Sequence, residues 1–335
     1  MDRNADGLRL ALNAPAHLLV DGLCAATVFG PVRAAGDPAV LILVYNTLAF
    51  STQCLVGLAA DRIRRHETSE ALAMTLIVLG FALPLPAWLR VVLIGLGNSV
   101  FHVAAGAMTI EQSRGKAWPL GVFVAPGAIG VTAGTLWPQA GAVFAVLLAI
   151  CAAAALLLPK GSPAPLKCEK AEGSLLVPIL LTLAVAVRAV GGSAVSFPWK
   201  TGAAGALVLT GAVFLGKCAG GFVCDRLGAR RSAWLSIVPA AVLIAFCSAW
   251  AAPSLLGQFA LNLTMPVTLW LLWRAMPDAP GFAFGLAASA LWPGMIAGGL
   301  MTLTGPALWV CVLLSFGFGL WAVLFAVRRI TADDS

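Results

Sequence analysis

Long apolar runs fill this chain from end to end, separated by short polar or Gly/Pro-rich breaks. A helix crossing the hydrocarbon layer needs roughly 20 apolar residues. Twelve runs approach that length, near 9–30, 38–60, 69–86, 89–110, 118–136, 139–158, 175–197, 202–224, 232–251, 254–275, 280–302 and 306–327. Transmembrane strands would alternate polarity at every second residue, and no stretch does so. The pattern predicts an all-α integral membrane protein with twelve transmembrane helices. One polar interruption is larger than the rest, "PKGSPAPLKCEKAEGS" at 159–174. Its prolines, glycines and charges predict a cytoplasmic linker, which leaves a six-helix half at 1–158 and another at 175–335.

Composition agrees with this class. Apolar residues make up 60% of the chain and charged ones 10%, more apolar surface than a soluble fold of this length could hide. The formal charge of +7 would suit a nucleic-acid binder only if the basic residues shared one soluble face. Instead they sit at helix ends. Counted from an inside N-terminus, Arg3, Arg9, Arg62, Arg64, Arg65, Arg114, Lys116, Lys160, Lys167, Lys170, Arg226, Arg230, Arg231, Arg274, Arg328 and Arg329 fall on one side. Arg33, Arg90 and Lys200 fall on the other. That asymmetry predicts both termini in the cytoplasm, with the lipid bilayer as the surrounding partner and no nucleic acid. The eight cysteines are scattered through apolar runs with no ligand spacing, so neither a metal nor a cofactor is expected. The first apolar run carries Asp21 and is too long for a cleaved signal.

The two halves repeat. "GLAADRIRR" (Gly57 to Arg65) returns as "GFVCDRLGARR" (Gly221 to Arg231), with Asp61 and Asp225 separated by 164 positions. The same offset pairs Asn98 with Asn262 and Gln53 with Lys217, while an offset of 167 pairs "PGAIG" with "PGMIA" at Pro126 and Pro293. Two parallel six-helix repeats are an architecture of secondary transporters.

With these motifs the chain resembles the major facilitator superfamily along nearly its full length. The loop after the second span of that family follows G-x-L-x-D-R-x-G-R-R. Here Gly221, Asp225, Arg226, Gly228, Arg230 and Arg231 keep it in the second copy, and Gly57, Asp61, Arg62 and Arg65 in the first. Arg64 stands where the family has glycine. The resemblance implies that these loops latch the cytoplasmic side shut. "HLLVD" in the first span and "GLGNSVFH" in the fourth are similar to the fosmidomycin-resistance branch, although Val103 and Ala104 replace its proline and glutamate. "GVFVAPGAIG" partly resembles the fifth-span signature of drug–proton antiporters, with Pro126 and Pro293 as expected helix bends.

A charge at the centre of a span costs roughly 2.5–3.5 kcal/mol and is functional by default. At 1.5 Å rise per residue, Asp21 lies about 18 Å and Arg188 about 20 Å into the first and seventh spans, which the repeat makes equivalent. Asn98 and Asn262 lie about 12–14 Å from the outer ends of theirs. His17 precedes Asp21, and Asn98 precedes His102, by the four residues that make helical neighbours. His17, Asp21, Asn98, His102, Arg188 and Asn262 thus form the expected polar stripe for solute and proton, with Asp21 as the proton-uptake residue opposite Arg188. The predicted function is proton-coupled transport of a small organic anion or drug-like compound by a monomer, through alternating access. The alternatives are a sensor or partner subunit of the same fold that does not transport, or a membrane-embedded enzyme. Three histidines and one deep carboxylate offer an enzyme little, so no catalytic residue is assigned.

Overall fold

The computed structural model describes residues 3–35, 38–159 and 175–332. Most of the expected linker, 160–174, lies outside the described residues. The first span is helix α1 (Arg3–Thr27), continued by a π-helical turn at Val28–Val32. That turn contains Pro31, which has no N–H for the helical ladder. The second span joins α2 (Pro38–Asn46) to α3 (Gln53–Ile63) through another π turn, Thr47–Ser51. Then follow α4 (His66–Ala82), α5 (Ala87–Gln112), the pair α6 (Trp118–Val124) and α7 (Pro126–Leu136), and α8 (Gly141–Leu157). The α6–α7 break falls where Pro126 takes the first position of α7 and removes a backbone donor. The second half holds α9 (Leu176–Ser193), α10 (Gly202–Leu227), α11 (Ala229–Cys247), α12 (Ala251–Ala275), α13 (Pro280–Gly299) and α14 (Gly305–Ala332).

Eleven of these spans are long and apolar enough to cross a membrane. The twelfth is α4, 17 residues long and packed along α5 and α8. No strand occurs among the described residues. The fold is the expected twelve-helix, all-α membrane protein.

The chain forms two compact units, and neither follows the sequence halves to the letter. Unit 1 takes Met1–Arg114, Phe123–Ala164 and the distant segment Pro280–Gly285. Unit 2 takes Gly115–Val122, Pro165–Ala279 and Leu286–Ser335. In unit 1, α1 lies along α7 and also meets α8 and α5. The approach of α7 is close because Gly130 and Gly134 face the Leu18 and Gly22 carbonyls, where a Cβ would clash. In unit 2, Gly294 and Gly298 of α13 face the Ala186 and Val190 carbonyls of α9 in the same way. Both glycine pairs are 164 residues apart, so helix packing follows the register of the motif aspartates. Pro126 and Pro293 lie outside that register: the first opens α7, whereas the second lies within α13.

Two arginines that the charge pattern assigns to membrane surfaces are helix caps. Arg9, 1% exposed, donates to the Ala155, Leu158 and Pro159 carbonyls at 2.8, 2.6 and 2.9 Å, closing the end of α8. Arg90 does the same for α4 through the Gly80 and Phe81 carbonyls. A cation at a helix C-terminus satisfies orphaned carbonyls and meets the negative end of the dipole.

Candidate functional site

Helix α1 presents His17 and Asp21 on one face, and α5 presents Asn98 and His102 on the face opposite. Packing of these helices in unit 1 brings the four side chains into one cluster. Asn98 Nδ2 donates to Asp21 Oδ1 at 3.0 Å and lies 3.3 Å from the Tyr45 hydroxyl. His17 Nε2 is 3.2 Å from Asp21 Oδ2. His102 Nε2 is 3.7 Å from Asp21 Oδ1 and 2.8 Å from His17 Nε2. The other ring nitrogens face backbone carbonyls, His17 Nδ1 at 2.7 Å from Phe123 O and His102 Nδ1 at 2.9 Å from Asn98 O. Both histidines and Asn98 are buried, enclosed by Phe101 and Phe123.

Gly127 of α7 leaves room beside this cluster, since a Cβ there would touch both Asp21 Oδ2 and His17 Nε2. His17, Asp21 and His102 offer donor atoms that all lie within 4.8 Å of one another, the one such group among the described residues. The arrangement can hold and pass a proton. Tyr45, Gly127 and Cys24, whose thiol is in hydrogen-bond relation with Asn98, are absent from the sequence-derived stripe, though two of them carry a signal. Tyr45 is the chain's one tyrosine, and Gly127 sits inside the fifth-span motif.

In unit 2, Arg188 of α9 is buried and donates from Nη2 to Thr268 Oγ1 at 2.9 Å. Its buried Nη1 has no acceptor among the described residues. Gly319 of α14 makes room for its stem, because a Cβ there would overlap Arg188 Cδ and Cγ. Asn262 returns its amide to the Gln258 carbonyl of its own helix. The repeat-related asparagines therefore do different work: Asn98 holds Asp21, whereas Asn262 engages its own backbone.

The motif loops act through helix termini. In unit 1, Asp61 accepts from the Gly281 and Phe282 amides, both at 2.8 Å. In unit 2, Asp225 accepts from the Ala117 and Trp118 amides at 2.8 and 3.0 Å. A carboxylate at a helix start meets unpaired N–H groups and the positive end of the dipole. The motif glycines permit the approach. A Cβ on Gly57 would strike the Gly281 carbonyl, and one on Gly221 the Ala117 carbonyl. Every partner in one clasp lies 164 residues from its counterpart in the other. Arg64 and Gly228, also 164 apart, both take positive φ, 52° and 79°. The glycine lost in the first copy thus leaves an arginine in a left-handed conformation. Arg62, Arg65, Arg226, Arg230 and Arg231 are exposed.

No protein-family model matches this sequence, and no curated protein matches it. Among solved structures, the chain is similar to FucP, a major facilitator superfamily transporter, in its outward conformation. That match has 13% identity and a TM-score of 0.72, covering 96% of this chain and 99% of that one. The chain has the major facilitator fold. A second structure, a variant of the E. coli fucose:proton symporter FucP, matches at 11% identity and a TM-score of 0.70 over the same shares. At such identities the likeness concerns the major facilitator fold alone, and site residues rest on their own geometry.

Proposed function

We propose that this protein is a secondary active transporter. It moves a small organic solute, an organic anion or a drug-like compound, across the cytoplasmic membrane by alternating access coupled to protons. The observation that carries this reading is the doubled carboxylate clasp, Asp61 on Gly281 and Phe282 and Asp225 on Ala117 and Trp118. A static bundle has no use for two repeat-related contacts that join the last turn of one helix to the start of a distant one through a carboxylate and two backbone amides. A protein that rocks between two states needs contacts of this kind, strong enough to hold one state and cheap enough to release. The clasps act as cytoplasmic latches, with both termini on that side and the monomer as the working unit.

Arg188 is the anchor for an anionic solute: it is buried, charged and keeps an unused donor. The His17–Asp21–Asn98–His102 cluster is the coupling site, and Asn262 lines the solute path. A large sugar fits this set less well, since few amide and hydroxyl groups accompany the arginine.

Purified protein in proteoliposomes, offered a panel of radiolabelled carboxylates, phosphonates and drug-like amphiphiles under an imposed pH gradient, tests the reading. The expected result is saturable flux of at least one compound, abolished by a protonophore and by Arg188→Ala. Absence of gradient-dependent flux across the panel, with the protein correctly folded, would overturn it.

A further inference from the structure

The two histidines of the cluster pose a problem in hydrogen-bond logic. A backbone carbonyl can only accept, so the contacts of both Nδ1 atoms, 2.7 and 2.9 Å, place a proton on Nδ1 of each ring. Each neutral ring then has a bare Nε2 lone pair. Yet the two Nε2 atoms are 2.8 Å apart, an ordinary hydrogen-bond distance and far too short for two facing lone pairs. Asp21 Oδ2, another acceptor, is 3.2 Å from His17 Nε2. Three acceptors crowd one point, and something positive must lie among them.

Three placements of a single proton can be compared. On Asp21 Oδ2 it would reach His17 Nε2 but leave the Nε2 pair in conflict. On His102 Nε2 it would bridge the pair but leave His17 Nε2 against Asp21. On His17 Nε2 it donates to His102 Nε2 and Asp21 Oδ2 together and resolves both short contacts. That placement also balances charge, one imidazolium beside one carboxylate, whereas a divalent ion would leave a net buried positive charge. We infer that the proton-binding atom of this site is His17 Nε2, shared with His102 Nε2, and that Asp21 stays ionised as its counter-ion.

Asp21, the residue whose depth and charge mark it for proton uptake in the sequence, thereby becomes a positioning residue held by Asn98 Nδ2. On loading, the lone pair of His17 Nε2 forms an N–H bond with a proton from water; on release, water takes the proton back. The other titratable groups around the site are Cys24 of α1 and Tyr45 of α2, both in hydrogen-bond relation with Asn98. One turn earlier on α1, Asn13 meets Glu70 of α4, and Cys151 of α8 is near Glu70. Helices α6 and α7 bring the Phe123 ring and carbonyl and Gly127, and carry no titratable side chain. The significance of the site for coupling rests on the transporter reading, while its existence does not.

The chain's three histidines make the test direct. Full-length protein with 15N-labelled histidine, metal-free in lipid nanodiscs, is read by nitrogen NMR, and His66→Gln and His102→Gln assign the signals. At neutral pH the expected spectrum shows His17 protonated on both nitrogens, His102 protonated on Nδ1 alone, and a coupling across the Nε2–Nε2 hydrogen bond. Asp21→Asn should abolish the doubly protonated signal. Two neutral rings in the parent protein would overturn the inference, as would a doubly protonated ring that survives Asp21→Asn. Stoichiometric binding of added Zn2+ that is lost in His17→Gln would overturn it as well, giving the site to a metal. Liposome flux is a separate readout. Flux without the doubly protonated signal defeats this inference alone, and the signal without flux defeats the transporter reading alone.

Discussion

Replacing Asp61 with asparagine removes one charge from a contact that uses both carboxylate oxygens, each accepting a backbone amide at 2.8 Å. A hydrogen bond to a charged group contributes about 1.5–3 kcal/mol, and asparagine retains one oxygen to accept one amide as a neutral bond. Loss of attraction to the helix start adds about 0.3–1 kcal/mol. Asp61 is only half-buried, and solvent screening places the net effect near the low end, about 1.5 kcal/mol. At about 1.4 kcal/mol per factor of ten, the latched state should lose roughly tenfold in population relative to the released one. Hydrogen exchange in lipid nanodiscs measures this where it happens, at the Gly281 and Phe282 amides, since exchange follows the opening equilibrium. If both clasps open in one transition, the Ala117 and Trp118 amides should speed up by the same factor although their own acceptor, Asp225, is untouched. Faster exchange confined to 281 and 282 would reduce the clasp to a local helix cap. No change at either pair would refute the energetic reasoning itself.

Arg64→Gly should stabilise the protein by about 0.5–1 kcal/mol, because the left-handed conformation strains arginine more than ordering a glycine costs; the exposed Arg64 bond to the Asp61 carbonyl is a small loss. Thermal unfolding in detergent checks this, and an unchanged or lowered midpoint counts against it. Arg9→Met should lower stability by about 3 kcal/mol in the same assay, since three carbonyls closing α8 lose a charged donor. Arg188→Gln separates function from stability: removing a buried charge with an unused donor should leave the melting temperature unchanged or raised, while solute binding and flux disappear. Unfolding of this variant would make Arg188 a structural residue.

Much of this molecule is legible along the chain because lipid leaves it little choice. Backbone groups in hydrocarbon must be satisfied within their own segment, so twelve apolar runs become twelve helices wherever they pack. The repeat carries more than a count of helices. Asp61 and Asp225, with Gly57 and Gly221, have a spacing that the structure turns into two equivalent clasps, and even the departure at Arg64 shows as a strained φ. The i,i+4 pairs His17–Asp21 and Asn98–His102 are visible too, as faces of separate helices.

What joins those faces is not visible, because it depends on helix rotation and on backbone atoms that no motif records. Equal depth in equivalent spans suggests Asp21 opposite Arg188; in the structure its short contacts are the two histidines and Asn98 of its own unit, and Arg188 donates to Thr268. Arg9 reads as a surface charge, yet it is a buried cap because the end of α8 arrives beside it. Glu70, fully buried, lies in a helix whose hydropathy gives no cause to single it out. Class, span count, repeat and the motif aspartates and glycines can be read along the chain, because each follows from local composition and spacing; the helix starts that the aspartates meet cannot. Which lone pairs meet at 2.8 Å between His17 and His102, and so where a proton can rest, is settled by the packing of α1 against α5, a contact between segments distant in sequence.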